Sequence, residues 1–156
     1  WGVQSDPLWH PTERAVLHVR SGRFSQLVVA GPGRASRTVA GGLIAPTASW
    51  SPDGRAIAFV AARRDGDRGT HLFSVTAAGR GLRRIAERVA TLRPAWHPTR
   101  RRVAHVGDRG IETVRPDGSG ARRLVDLPRN AEVGAIAWSP AGDRLAFIAR
   151  RRPPSD

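Results

Sequence analysis

The sequence has no cysteine, no methionine and no tyrosine, and it has no lysine either: all 26 basic residues are arginine. Without cysteine there is no disulfide framework, no thiolate nucleophile and no cysteine-ligated zinc or iron–sulfur centre. Without methionine the 156 residues lack an initiator, which points to a processed product or a piece of a longer chain. No apolar run approaches the ~20 residues that span a bilayer. The stretch Trp1-Gly2-Val3-Gln4-Ser5-Asp6-Pro7 has neither the basic nor the apolar region of a signal peptide. Aromatic residues are scarce at 6%, and 13 acids against 26 arginines leave a net charge of +13. Against these shortages stand 40% hydrophobic residues and 17 glycines, a globular proportion that excludes wholesale disorder.

Four of the five tryptophans mark an internal repeat. Trp9, Trp50, Trp96 and Trp138 each open a similar segment. Two of these begin Trp-His-Pro-Thr and two begin Trp-Ser-Pro. An aliphatic residue recurs seven positions after each tryptophan (Val16, Ile57, Val103, Leu145), and another ten positions after it (Val19, Val60, Val106, Ile148). A second half follows in the first three units. It has a short β-prone run (residues 26–30, 71–76 and 110–114), a glycine-rich turn, and a closing polar–apolar segment near residues 37–39, 82–85 and 122–125.

Runs of this length bounded by Gly, Pro and Asp signal strands rather than helices. In Pro52-Asp53-Gly54 the proline pre-sets its φ, and the glycine can take a positive φ. Residues 82–92 contain no proline and could form a helix, but the repeat favours strand plus loop. Four short antiparallel strands every 40–45 residues define a β-propeller blade. The expected fold is all-β, a propeller segment of about three and a half four-stranded blades from a six- or seven-bladed ring. The blade limits are near 6–46, 47–92, 93–134 and 135–152, the last incomplete. A lone blade cannot cover its two faces, so Trp9, Trp50, Trp96 and Trp138 are assigned to the space between blades.

The run Trp50-Ser51-Pro52-Asp53-Gly54-Arg55, with Ile57-Ala58-Phe59, Leu72-Phe73-Ser74-Val75 and Gly79 to Ile85, resembles the TolB-type WD-like propeller repeat. That repeat is also found in tricorn protease and in prolyl-oligopeptidase-like propellers. The Trp138 unit is similar, with Ala141 where aspartate is usual. The Trp9 and Trp96 units depart further: His-Pro-Thr replaces Ser-Pro-Asp and the glycine is lost. The resemblance covers nearly the whole chain and is specific for fold, not for activity. It implies a periplasmic or extracellular setting, which the residues themselves do not decide.

Histidines follow the same plan. His10 and His97 come directly after an anchor tryptophan, and His18 and His105 nine positions after it. The other two units carry Ser51 and Ser139 at the first place and Phe59 and Phe147 at the second. Units therefore alternate in type, as an old two-unit duplication would leave them. A tight hairpin puts the two imidazoles of one unit on opposite faces, against a shared metal ion. His18 and His105 are expected to replace phenylalanine between blades, each satisfying a backbone group through a ring nitrogen. There is no Gly-x-Ser-x-Gly elbow and no His-Glu-x-x-His. Asp65-Gly66-Asp67 lacks the closing glutamate of a calcium loop, and Pro32 spoils Gly31–Gly33 as a phosphate cradle. No catalytic residue, metal or cofactor is assigned.

Arginine clusters mostly at turns, where a solvated rim is the simplest account. The leading functional expectation is a non-catalytic scaffold that binds a protein or ligand through loops 63–70 and 126–133. Arg63, Arg64, Arg68, Arg101 and Arg102 would pair with carboxylates or phosphates. The enzyme-class alternative is the substrate-gating propeller of a larger serine peptidase. A third reading, from the charge, is an anionic partner such as nucleic acid, although scattered clusters and few free aromatics argue against a groove. Open blade edges, with strands 111–114 and 145–149 near one of them, predict self-association.

Overall fold

The computed structural model describes residues 7–63, 69–90, 92–128 and 130–151. Every regular element among them is a strand. The strands are β1 (Leu8–Trp9), β2 (Val16–Arg20), β3 (Ser25–Gly31), β4 (Arg34–Trp50), β5 (Ala56–Arg63), β6 (Thr70–Thr76) and β7 (Arg83–Ala86). They continue as β8 (Ala95–Trp96), β9 (Val103–Gly107), β10 (Gly110–Val114), β11 (Arg122–Asp126), β12 (Ala131–Trp138) and β13 (Leu145–Arg151). All pairings are antiparallel between neighbours in sequence, in sheets β1 to β7, β8 to β11, and β12–β13. This is a partial β-propeller. Residues 82–90 form β7 and irregular chain, as the repeat requires.

Hairpin register follows the spacing in the sequence. Trp9 pairs with Val16, Trp50 with Ile57, Trp96 with Val103 and Trp138 with Leu145. Each tryptophan therefore shares a sheet face with the residues seven and nine positions later. The following face carries the residues eight and ten positions later. β4 is a single strand serving two units: its first part pairs with β3 and its second with β5. Positive φ at Gly42 (69°) and Ala45 (46°) turns the chain between these roles. One expectation is corrected here. Residues 111–114 are not themselves an outer strand, because β10 is flanked by β9 and β11; among the described residues β13 has a strand neighbour on one side only.

Apolar residues collect between units rather than within them. Leu17, Leu27 and Leu43 meet Ile57, Phe59 and Val75 between the first and second units. Ala58, Val60 and Leu72 meet Val103 and Val114 between the second and third. Val106 and Ile111 meet Ile136 and Leu145 between the third and fourth. Each fully buried Leu, Ile or Phe contributes about 1.5–3 kcal/mol. Polar bonds cross the same seams. The Thr47 and Ser49 hydroxyls donate to the carbonyls of Leu92 (3.1 Å) and Pro94 (2.7 Å). Backbone Ala90 N–H donates to Val106 O at 2.8 Å.

Tryptophan supplies the recurring bond. The Trp50 indole donates to Leu8 O at 3.1 Å, Trp96 to Ser49 O at 3.2 Å, and Trp138 to Ala95 O at 3.2 Å. Each acceptor is the residue just before the preceding unit's own tryptophan. Phenylalanine at Trp96 would keep much of the ring and remove this bond. We expect Trp96→Phe to lower unfolding free energy by about 1 kcal/mol, read from urea midpoints. A midpoint unchanged from the parent would show that the indole N–H contributes nothing.

Candidate functional site

The turns that follow the four tryptophans line up along one rim, and two chemistries hold them. In the second unit Ser51 Oγ donates to Asp53 Oδ1 at 2.6 Å and accepts the Ala56 N–H at 2.9 Å. Asp53 Oδ1 also accepts the Arg55 N–H at 3.1 Å. These bonds, the Ser51 hydroxyl first, hold the Asp53 carboxyl below the usual carboxylate range, with Arg55 and Arg101 adding positive charge. Gly54 closes the turn with φ 67°. The fourth unit keeps this device despite Ala141: Ser139 Oγ donates instead to Asp143 Oδ1 at 2.7 Å and accepts the Arg144 N–H at 3.1 Å.

Histidine does the same work in the other units. His10 Nδ1 accepts the N–H groups of Thr12 (3.2 Å) and Glu13 (2.9 Å). His97 Nδ1 accepts those of Thr99 (3.2 Å) and Arg100 (3.0 Å). An accepting Nδ1 places the proton on Nε2, and His10 Nε2 donates it to Gly54 O of the next unit at 3.1 Å. The rings also lie against the next tryptophan, His10 on Trp50 and His97 on Trp138, with centroids 4.7 Å apart in both. A Cβ added at Gly54 would land on the His10 ring, and one at Gly142 on the His97 ring. The alternation thus has a packing cause: a histidine-type turn needs a glycine in the unit after it.

Of the second pair, His105 meets a side chain as well as the backbone of Val103. The partner that His105 Nε2 faces is a side chain, Glu112 Oε2 at 3.7 Å, from the residue directly opposite it across β9 and β10. Arg123 Nε holds the other oxygen of Glu112 at 3.4 Å. His105 is 3% exposed. Burial lowers its pKa from the ordinary 6.5, outweighing the opposing pull of Glu112. His10 and His97 also satisfy backbone groups, and their contacts span two units and cannot be read from one. Among the described residues no group of three or more His, Asp or Glu side chains comes together as metal ligands would.

The arginines singled out in the sequence have separate environments. The Arg63 guanidinium lies 5.9 Å from the centroid of the Phe73 ring. Arg64 and Arg68 lie outside the described residues. Arg102 Nη1 donates to Thr113 Oγ1 (3.1 Å) and Gly120 O (2.8 Å), tying β9 to the β10–β11 turn. Arg101 is exposed beside a cleft of about 220 Å³ between the second and third units, which Ser51, Asp53, Arg55, Trp96 and Arg100 also line. A wider cleft of about 710 Å³ lies between the first and second units, near Arg14, Arg34, Arg37 and Arg55. On the opposite rim, Gly69–Thr70 and residues 130–133 of the two expected binding loops share one depression of about 800 Å³ with Arg88 and Asp108. Arg88 pairs there with Asp108 at 3.4 Å, and Arg150 pairs with Glu132 at 3.1 Å. Arg55, which the sequence reading did not single out for binding, lines both of these clefts from its place directly after the Pro-Asp-Gly turn.

This arrangement is that of a β-propeller cut to a few blades. No family model matches the sequence, and no curated protein matches it. Solved structures do resemble it. A putative TolB from Agrobacterium tumefaciens superposes with a TM-score of 0.77 at 20% identity, over 99% of this chain and 57% of its own. TolB from Acinetobacter baumannii gives 0.75 at 16% identity, over 96% of this chain and 38% of its own. The β-propeller domain of the trilobed protease from Pyrococcus furiosus gives 0.61 at 17% identity, over 83% and 44%. At such identities the likeness is one of fold, and it confirms the TolB-like propeller that the repeat predicts. The chain spans little more than half, or less, of the length of each.

Two outcomes test the rim and the buried histidine. Ala at Gly54 forces a left-handed residue onto the His10 ring and should cost at least about 2 kcal/mol, whereas Gly33→Ala, with open space around it, should cost only about 1 kcal/mol. Equal losses in urea would dismiss the histidine–glycine fit. For His105, the unfolded chain takes up a proton near pH 6.5 and the native chain only at lower pH. Its contribution is therefore full above 6.5 and is lost as pH falls below it. His105→Phe should lose less stability than the parent between pH 7.5 and 5, and parallel stability–pH curves would count against this assignment.

Proposed function

We propose that this chain is part of a non-catalytic, TolB-like β-propeller scaffold that binds a protein or ligand through the tryptophan-turn rim. The observation that carries this reading is the direction of the rim's hydrogen bonds. The hydroxyls of Ser51 and Ser139, Nδ1 of His10 and His97, and Oδ1 of Asp53 and Asp143 are engaged in holding turns. A nucleophile or general base needs those atoms free to meet a substrate. What remains outward is guanidinium, with Arg55, Arg100 and Arg101 exposed around the cleft between the second and third units. Arginine forks match carboxylates in two-point geometry, so acidic side chains or a chain terminus of a protein partner suit this rim.

A second reading, a substrate-gating propeller within a larger peptidase, is favoured by the similarity to the trilobed protease propeller. A hydrolase domain encoded in the same gene would decide for it.

The binding reading is tested with a fluorescein-labelled oligoglutamate peptide and a labelled DNA duplex, followed by anisotropy at low and moderate salt. We expect the peptide to bind, and Arg55→Glu with Arg101→Glu to weaken it at least about tenfold. Tighter binding of the duplex, falling steeply with salt, would move the assignment to a nucleic-acid module. No binding of either probe would overturn an anion-reading rim.

A further inference from the structure

We propose that the cleft between the second and third units captures the C-terminal residue of a partner chain. Its apolar side chain would lie on the cleft floor and its terminal carboxylate under the arginines. This rests on the anion-binding rim proposed above and names what that rim takes. One wall of the cleft comes from the second unit and the other from the third, and it measures about 220 Å³. Ordinary small-molecule sites enclose about 300–1,000 Å³. This cleft therefore has room for one side chain rather than for a whole ligand.

Burial separates floor from mouth. Ser51 and His97 are buried, and Ala56, Trp96 and Pro98 are half-buried. The polar atoms of this floor are already committed. Ser51 Oγ serves Asp53 and Ala56, the Trp96 indole donates to Ser49 O at 3.2 Å, and His97 Nδ1 accepts from Thr99 and Arg100. The Cε1–Nε2 edge of His97 lies toward Gly142 of the fourth unit, away from this cleft. What the floor offers an incoming group is the apolar surface of the indole, Pro98 and the Ala56 methyl. A charged side chain placed there would lose its water without gaining a partner.

The mouth is cationic. Arg55, Arg100 and Arg101 are exposed along it. Among the described residues no hydrogen bond or ion pair holds their guanidinium groups, whereas the neighbouring Arg102 is tied down by Thr113 and Gly120. Asp53 is the acid that lines the cleft with them, so three guanidinium groups face one carboxylate. The excess suits an incoming anion at the mouth, while Asp53 repels a second carboxylate beside it. A C-terminal residue meets both demands, because its carboxylate and its side chain leave the same Cα. An internal aspartate or glutamate supplies charge at the mouth but leaves the apolar floor empty.

Fluorescence anisotropy with short peptides labelled at the N-terminus tests this. One ends in leucine with a free carboxylate, one is the same peptide amidated, and one ends in glutamate with a free carboxylate. An amidated oligoglutamate reports on the anion-binding rim by itself. We expect the leucine acid to bind, and either amidation or the glutamate ending to weaken it at least about tenfold. Arg101→Ala should bring the leucine acid down toward its amide. Ala56→Leu, which fills the floor, should weaken the leucine ending more than the glutamate ending. Arg101 is exposed, so its variant should keep the parent's circular dichroism, and the peptide series on the parent decides the matter if Ala56→Leu does not fold. Equal affinity for the leucine acid and its amide, or for the leucine and glutamate endings, would overturn this inference. Oligoglutamate binding would then still uphold the rim. Binding of neither the leucine acid nor oligoglutamate would overturn both.

Discussion

A single polar contact, the indole N–H of one unit on the inner-strand carbonyl of the unit before it, sets the frame for the rest of the structure. A four-stranded antiparallel unit has two faces and cannot bury both, so it is stable only when stacked. Apolar packing drives the stacking but does not fix its angle or height. The indole does, because it is long enough to cross the seam and carries one donor at its far end. Once Trp50, Trp96 and Trp138 are bonded in this way, the facing aliphatic rows have one register. Phe59 and Val75 then fall among Leu17, Leu27 and Leu43.

The turns add a second constraint that also acts between units. An imidazole beside the tryptophan replaces the serine–aspartate pair as acceptor of the turn's N–H groups. It is larger, and it projects into the next unit, where only a residue without Cβ leaves room. Histidine in one unit and glycine in the next therefore form one device. The departures of the Trp9 and Trp96 units from the Ser-Pro-Asp-Gly pattern are compensated rather than degenerate. The same holds for Ala141, whose lost carboxylate returns at Asp143.

What could be read from the sequence follows from this division between local and crossing contacts. The strands, their hairpin registers and the positions of the tryptophans are local, set by alternation and by turn chemistry at Pro52-Asp53-Gly54. They were legible. The role of His10 was not, because its bond partner, Gly54, belongs to the following unit. Neighbouring arginines could not be told apart for a similar reason. Arg102 is absorbed by Thr113 and Gly120 across a hairpin, while Arg101, one residue earlier on the alternate side, faces a cleft. Strand 111–114 was placed near an open edge because closing segment 122–125, although recognised, was not weighed as its cover.

Unequal seams give the chain a gradient of stability. The seam between the first two units buries a large cluster around Phe59 and Leu27, whereas the last rests on Val106, Ile111 and Val133 with partly exposed neighbours. In a stack where each unit contacts only its neighbours, stability is close to a sum of unit and seam contributions. Among the described seams, the one around Val106, Ile111 and Val133 is therefore the first to open. Its opening would expose Val106 and Ile111, so loss would proceed inward from there. The first unit behaves differently, because its inner seam is the largest in the chain.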